Sequence, residues 1–319
     1  MTDTSHTCRI LSIDGGGIRG IVPATLLSRL EEKLGGPIAQ HFHLLAGTST
    51  GGILAAGLAL ETPASKLVDF YTKKGPGIFS SSFYSAATGP KFLPDMLETA
   101  LREEFGDTRL SDLQHDLICP TYDLQARQGV LFKSWKARGV EEPAPSSSDF
   151  LLRAITRATS AAPTYFPPAQ ITAADGKTYA LIDGGMFGNN PALIALVAAR
   201  RLMPLAKRFL VVSLGTGENL QPIQFQDAAS WGIVGWGTRI IDIVFDAMGS
   251  TVEYELNQMT EVSQLRLQSS LQGANDALDD ASTQNMKNLA ACADRTLENR
   301  AGDMAGLLAE LKIPGPFFV

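Results

Sequence analysis

Histidine is scarce in this chain of 319 residues: only His6, His41, His43 and His115 occur, and none follows position 115. That argues against a serine hydrolase in which the nucleophile precedes its acid and a histidine comes last. Cysteine is scarcer still. Cys8, Cys119 and Cys292 are odd in number and have no paired spacing, which excludes a disulfide framework and a cysteine zinc cluster and predicts a reducing compartment. Basic residues are outnumbered, with 27 Lys and Arg against 33 Asp and Glu, a net charge of −6 and a pI near 5.3. A nucleic-acid binder relying on a whole-domain basic field is thereby excluded. The uncharged stretch from Leu34 to Leu60 is broken by Pro37 and by the glycines after Ala46. Its strictly apolar part, Gly51 to Leu60, falls short of the roughly 20 residues a membrane span needs. The start, MTDTSHTCRILSID, lacks the basic and apolar regions of a signal peptide. No EF-hand or other metal motif is visible. These absences predict a soluble, cytoplasmic protein with no metal and no cofactor.

What is present reads as α/β. With 45% hydrophobic and 19% charged residues, the chain can bury a large core. Arg9 to Ile13 predicts a buried strand running into Asp14 and three glycines. Pro23 suits the first turn of a helix whose leucines 26, 27, 30 and 34 share a face, and Gly35-Gly36-Pro37 stops it. A second strand over Phe42 to Ala46, the turn Gly47 to Gly51 and an apolar helix repeat the pattern, which points to a parallel sheet flanked by helices. Further strands are predicted at 117–122, 130–135, 179–182 and 209–213, and a helical, polar pattern from about Asp227. No internal repeat or linker appears, so one domain spanning residues 1–319 is expected, its C-terminal portion from about 227 helical. Gly75 to Pro90 predicts an uncharged loop, on which Ile78, Phe79, Phe83 and Tyr84 are candidates to line an apolar entrance. Ile241, Val244, Phe245, Met248 and Val252 share one helical face. With Arg239 as the only base nearby, the pattern predicts a core or subunit-packing helix rather than an interfacial one.

Gly47-Thr48-Ser49-Thr50-Gly51 fits G-x-S-x-G, the strand-to-helix elbow that exposes a serine nucleophile. Gly47 and Gly51 suit a cramped turn. A serine hydroxyl needs a positioned base, and no histidine has a suitable setting. Asp183-Gly184-Gly185 follows a predicted strand, at the kind of strand end where open α/β sheets place ligands. A carboxylate there could take the Ser49 proton directly; an ordinary turn aspartate is the alternative.

Gly15, Gly17 and Gly20 formally match the dinucleotide pattern G-x-G-x-x-G. The acid expected about 20 residues on is missing, since 34–60 holds no Asp or Glu. The same glycines can instead leave backbone N–H groups free to form an oxyanion hole. Arg19 would add positive potential or brace the loop.

Taken in order, Asp14-Gly-Gly-Gly-Ile-Arg-Gly20, Gly47-Thr-Ser-Thr-Gly51 and Asp183-Gly-Gly185 resemble the patatin-like phospholipase family. Ser160-Ala-Ala-Pro-Thr-Tyr-Phe166 and Asn189-Asn190-Pro191 extend the resemblance over about residues 9–217. It implies a three-layer α/β/α fold with a mainly parallel sheet. The activity it implies is that of a lipid acyl hydrolase of the phospholipase A or lysophospholipase type, peripheral at the membrane while it cleaves phospholipid esters. Carried over by motif, Ser49 is the nucleophile and Asp183 its base, acting through an acyl-enzyme. Gly15, Gly16 and Gly17 supply the oxyanion donors, and Arg19, Gly47, Gly51, Gly184 and Gly185 support them. Similar bacterial phospholipases are switched on by cyclic-nucleotide signals, so a cyclic-nucleotide activator and a homo-oligomer stay open as partners. Two other readings also stay open: an acyltransferase using the same serine, and a non-catalytic nucleotide- or lipid-binding module.

Overall fold

A computed structural model describes residues 6–80, 89–140, 147–237 and 239–313. The first strand, β1 (Thr7–Ile13), is buried along its whole length. Its alternate residues enter two different cores: Leu11 and Ile13 pack on one side, Cys8 and Ile10 on the other. A strand apolar on both faces belongs in the middle of a covered parallel sheet, and β1 lies there. The remaining strands are β2 (Leu44–Gly47), β3 (Asp116–Asp123), β4 (Gln128–Lys133), β5 (Ala169–Thr172), β6 (Thr178–Asp183), β7 (Arg208–Leu214) and β8 (Val262–Leu267). Their order is β5-β6-β3-β2-β1-β7-β8, with β4 also paired to β3. The run β3-β2-β1-β7-β8 is parallel, whereas β4, β6 and β5 join antiparallel.

Helices cover both faces. On the larger core lie α1 (Ile21–Leu34) and α2 (Thr50–Ala59), with α3 (Leu152–Thr159) packed against α2. Every residue of α2 is buried, as expected of a helix apolar all round. Gly35 ends α1 in the left-handed conformation (φ 78°) and donates its N–H to the Glu31 carbonyl. On the other face α4 (Ala192–Leu202) packs on β1, β2 and β7. Beyond it come α5 (Ile240–Asn257), α6 (Thr283–Asn299), which packs on α1, and α7 (Ala301–Leu311). The result is the three-layer α/β/α arrangement expected.

Three local expectations need correction. The C-terminal portion is not purely helical, because β8 extends the sheet beside β7. Its sequence, VSQLRL, carries Ser263, Gln264 and Arg266, which hides the strand from a hydrophobicity pattern. The segment from Gly75 is not all loop: Gly75–Ile78 is a helical turn, while Phe83 and Tyr84 lie outside the described residues. Finally, of the two roles expected for α5, core packing does not hold, since Leu256 alone among its residues is buried; subunit packing is the one left.

β8 also supplies the partner of a buried charge. Arg266 holds the Asp14 carboxylate at 2.6 Å, with both side chains at most one-tenth exposed, and donates to the Ser213 hydroxyl at 2.8 Å. Burial pushes the Asp14 carboxyl up and the guanidinium opposes it. Removing one member of such a pair costs about 3–5 kcal/mol, because the other charge stays buried alone. Arg266→Gln is therefore expected to lower stability to urea by about that amount at pH 8, and by less at pH 5, where Asp14 can take up a proton.

Candidate active site

The site starts from the turn between β2 and α2. Ser49 sits at φ 54° and ψ −124°, a conformation that side chains other than glycine rarely adopt. The packing behind it requires glycine: a Cβ on Gly51 would lie 2.2 Å from the Ile13 carbonyl oxygen, and one on Gly47 2.1 Å from that of Gly51. Two threonines hold the turn. The Thr48 hydroxyl donates to the Gly188 carbonyl at 2.6 Å. The Ser49 N–H donates to the Thr159 hydroxyl at 2.9 Å, which itself donates to the Pro120 carbonyl at 2.7 Å. Neither threonine was singled out from sequence, although Thr159 immediately precedes the Ser160–Phe166 motif.

Asp183 ends β6, and its N–H donates to the Ala161 carbonyl at 3.1 Å. Its carboxylate, 2% exposed, accepts the Gly185 N–H at 2.7 Å and lies beside the Ser49 hydroxyl in the same cavity. Burial pushes this carboxyl up to about 7, against the downward pull of the Ser49 hydroxyl and the Gly185 N–H. β6 reaches the site in an unexpected way. It runs antiparallel to β3, so its C-terminal end points back across the sheet. The meeting works because β3 overhangs β2: β2 ends at Gly47, one residue past the Ala46–Ile118 pairing, whereas Asp183 pairs with Thr121 further along β3.

The glycine loop follows β1. Gly15 does not keep a free donor, because its N–H is given to the Asn189 carbonyl at 3.2 Å. The N–H groups of Gly16, Gly17 and Thr50 donate to no protein acceptor among the described residues. Gly16 and Gly17 line the same cavity as Ser49 and Asp183. Thr50, the residue after the serine, adds the first N–H of α2. The rest of the loop is clamped from outside: the Thr216 hydroxyl donates to the Gly15 carbonyl at 2.8 Å. Gly17 adopts φ +57°, and a Cβ there would lie 2.2 Å from the Leu278 carbonyl oxygen. Ile18 donates to that same oxygen at 2.8 Å, and the Arg19 guanidinium to the Asp276 carbonyl at 3.1 Å. Arg19 thus braces the loop rather than facing the serine. Gly184 abuts the Pro120 carbonyl and completes the turn after Asp183.

Apart from these groups and from Ser160, Tyr71 and Tyr165, the cavity wall is apolar, with Ile53, Ile78, Phe79, Ile241 and Phe245 among its members. Ile78 and Phe79 therefore do border the site. None of the four histidines lines it. His43 accepts the Arg9 N–H, His41 meets the Leu311 carbonyl, and His115 meets Glu61. Among the described residues no cluster of His, Cys, Asp and Glu could hold a metal ion, and no helix is long and apolar enough to cross a membrane.

A strained serine opening into a hydrocarbon-walled cavity suits an ester of a fatty acid better than a peptide or a sugar. By class, then, this is a serine-dependent lipid acyl hydrolase. Comparison with known proteins narrows the class. The family model for patatin-like phospholipase matches residues 11–196. Patatin-like protein 2 of Oryza sativa subsp. indica is 34% identical over 342 residues, covering 91% of this chain and 83% of that protein. Patatin-like protein 2 of Arabidopsis thaliana is 34% identical, covering 91% and 82%. Patatin-2-Kuras 3 of Solanum tuberosum is 31% identical, covering 93% and 87%. The crystal structure of VipD from Legionella pneumophila is a more distant match, with a TM-score of 0.39 and 13% identity over 93% of this chain and 67% of that one. The chain belongs to the patatin-like phospholipase family.

Thr159→Val keeps the shape of the support beneath Ser49 and deletes its hydroxyl. The Ser49 N–H is then buried without an acceptor, a loss of about 1–3 kcal/mol. The variant is expected to melt lower and to lose kcat with little change in KM, as steady-state kinetics on a soluble ester would show.

Proposed function

We propose that the protein hydrolyses fatty-acyl esters of phospholipids through Ser49 and Asp183. The observation that carries this reading is the strained Ser49 beside the buried Asp183 carboxylate in one largely apolar cavity. Ser49 Oγ attacks the ester carbonyl carbon while its proton passes to Asp183. The N–H groups of Gly16, Gly17 and Thr50 hold the developing oxyanion, in place of the Gly15, Gly16 and Gly17 set expected from the motif. Collapse expels the glycerol-side alkoxide, which takes the proton from Asp183 and leaves an acyl-Ser49. Water then attacks the acyl carbon, gives its proton to Asp183, and the fatty acid departs as Ser49 regains its hydrogen.

Burial has a purpose in this scheme. A carboxylate at its ordinary pKa of about 3.9 is a weak base at neutral pH; one near 7 is matched to the task. Only the ionised form accepts the serine proton. The expected kcat/KM rises with pH and levels off above about 7, a profile that stopped-flow or pH-stat assays would read. Ser49→Ala and Asp183→Asn should each lose activity by roughly 10⁴-fold or more. Mass spectrometry of mixed phospholipids incubated without an acceptor alcohol should show free fatty acid and lysophospholipid, absent with Ser49→Ala. Full activity in either variant would refute the dyad.

The same raised pKa bears on stability. The folded state holds the Asp183 proton more tightly than the unfolded chain does. The contribution of this group is therefore complete below about pH 4 and is lost as pH rises through about 7. Asp183→Asn removes the buried charge, so it is expected to melt at or above wild type at pH 8 and to show no such advantage at pH 4, by calorimetry.

A further inference from the structure

As it stands, the Ser49 cavity leaves only about 60 Å³ free. That is room for a few waters, against the roughly 300–1,000 Å³ of pockets that enclose organic ligands. A long acyl chain enters only if part of the wall moves. One wall with little burial of its own is α5, which contributes Ile241 and Phe245. This helix is anchored at its C-terminal end, where Val252 and Leu256 join the second core. Its first half has no buried residue. Further along, α5 roofs a polar cavity of about 680 Å³ bordered by Asp14, Arg19 and Gln264, and the Gln264 side-chain amide has no partner there.

The sequence leading into α5 is unusual for this acidic chain. Residues 231–241 (WGIVGWGTRII) contain no Asp or Glu, a single Arg, and two of the three tryptophans in the sequence. Trp236 and Ile240 are each 43% exposed. The Trp236 ring stands edge-on to Trp231 at 5.2 Å, and the Arg239 guanidinium covers the Trp231 ring at 4.6 Å. Met186 is both 41% exposed and part of the cavity wall, and Ile240 directly precedes Ile241 of that same wall. Tryptophan beside an aliphatic side chain and a lone arginine matches the headgroup–acyl boundary of a bilayer, where one end of the indole is wet and the other dry.

We propose that Trp236, Ile240 and Met186 form the docking surface for a phospholipid bilayer, and that seating there draws Ile241 and Phe245 off the cavity to admit an acyl chain. The proposal rests on the reading of the Ser49 cavity as the acyl site. It predicts that docking and chemistry are separable. The Ser49→Ala protein should float with phosphatidylcholine vesicles, and its tryptophan emission should shift to the blue on binding. Trp236→Phe should still float but lose most of that shift. The double variant Trp236→Asp/Ile240→Asp should hydrolyse a soluble short-chain ester within about twofold of wild type. Its flotation and its hydrolysis of vesicle phosphatidylcholine should fall by at least about tenfold. Flotation unchanged by the double substitution, an emission spectrum unmoved by vesicles, or equal losses on soluble and vesicle substrates would each overturn the proposal. So would a change from dimer to monomer in the double variant, since the face would then bind a second copy of the chain. An active Ser49→Ala protein would instead overturn the dyad and leave the docking result standing.

Discussion

The structure is arranged around a carboxylate kept out of water opposite a serine hydroxyl. Burying Asp183 is costly, and the Gly185 N–H and the neighbouring Ser49 hydroxyl offset only part of that cost. The surrounding fold must therefore be rigid enough to hold a group that would be more stable solvated. It achieves this with close backbone packing: Gly51 against the Ile13 carbonyl, Gly184 against the Pro120 carbonyl, and Thr159 bridging Ser49 to that same Pro120 carbonyl. The strained backbone of Ser49 belongs to the same economy, in which local disfavour is outweighed by a densely packed frame.

The chain beyond β7 completes this frame rather than decorating it. The carbonyls of Asp276 and Leu278 receive Arg19 and Ile18, which fixes the glycine loop from outside. Arg266 on β8 neutralises Asp14 at the loop's start. Leu289, Met304 and Leu307 from the last helices enter the same core as α1 and α2. The donors facing the cavity thus depend on residues more than two hundred positions away, and a fragment ending after β7 would lack the clamp.

α5 is the exception to this rigidity. Its apolar stripe reads in sequence like that of a core helix, yet the stripe is only partly covered, and the space beneath its middle is polar and open. Periodicity reports that a face is apolar; it does not report what the face meets. On the proposed reading of the cavity as an acyl site, the same stripe that would seal a core serves as a removable wall.

Much of the site was legible from local sequence. A strand, a turn and a helix are encoded over a few neighbouring residues, so β1 with its glycine loop and β2 with its elbow could be read directly, and Ser49 with them. Asp183 was expected near the serine and lies beside it, though the reason was incomplete: a strand end was expected to face the site, and β6 does so only because β3 overhangs β2. Gly15 was assigned a free donor that Asn189 in fact occupies. Thr159 and Thr50 were passed over, because a threonine before a motif and a threonine after a serine carry no signal of their own. The sequence by itself determined which segments form the parallel centre and marked Ser49, Asp183 and the glycine loop as candidates, since propensity, turn glycines and apolar runs are local properties. The tertiary structure alone decided the direction of β6, the strand at β8, the identity of the unpaired N–H groups and the exposure of α5. Those depend on hydrogen bonds and burial between residues far apart in the chain, which no local pattern contains.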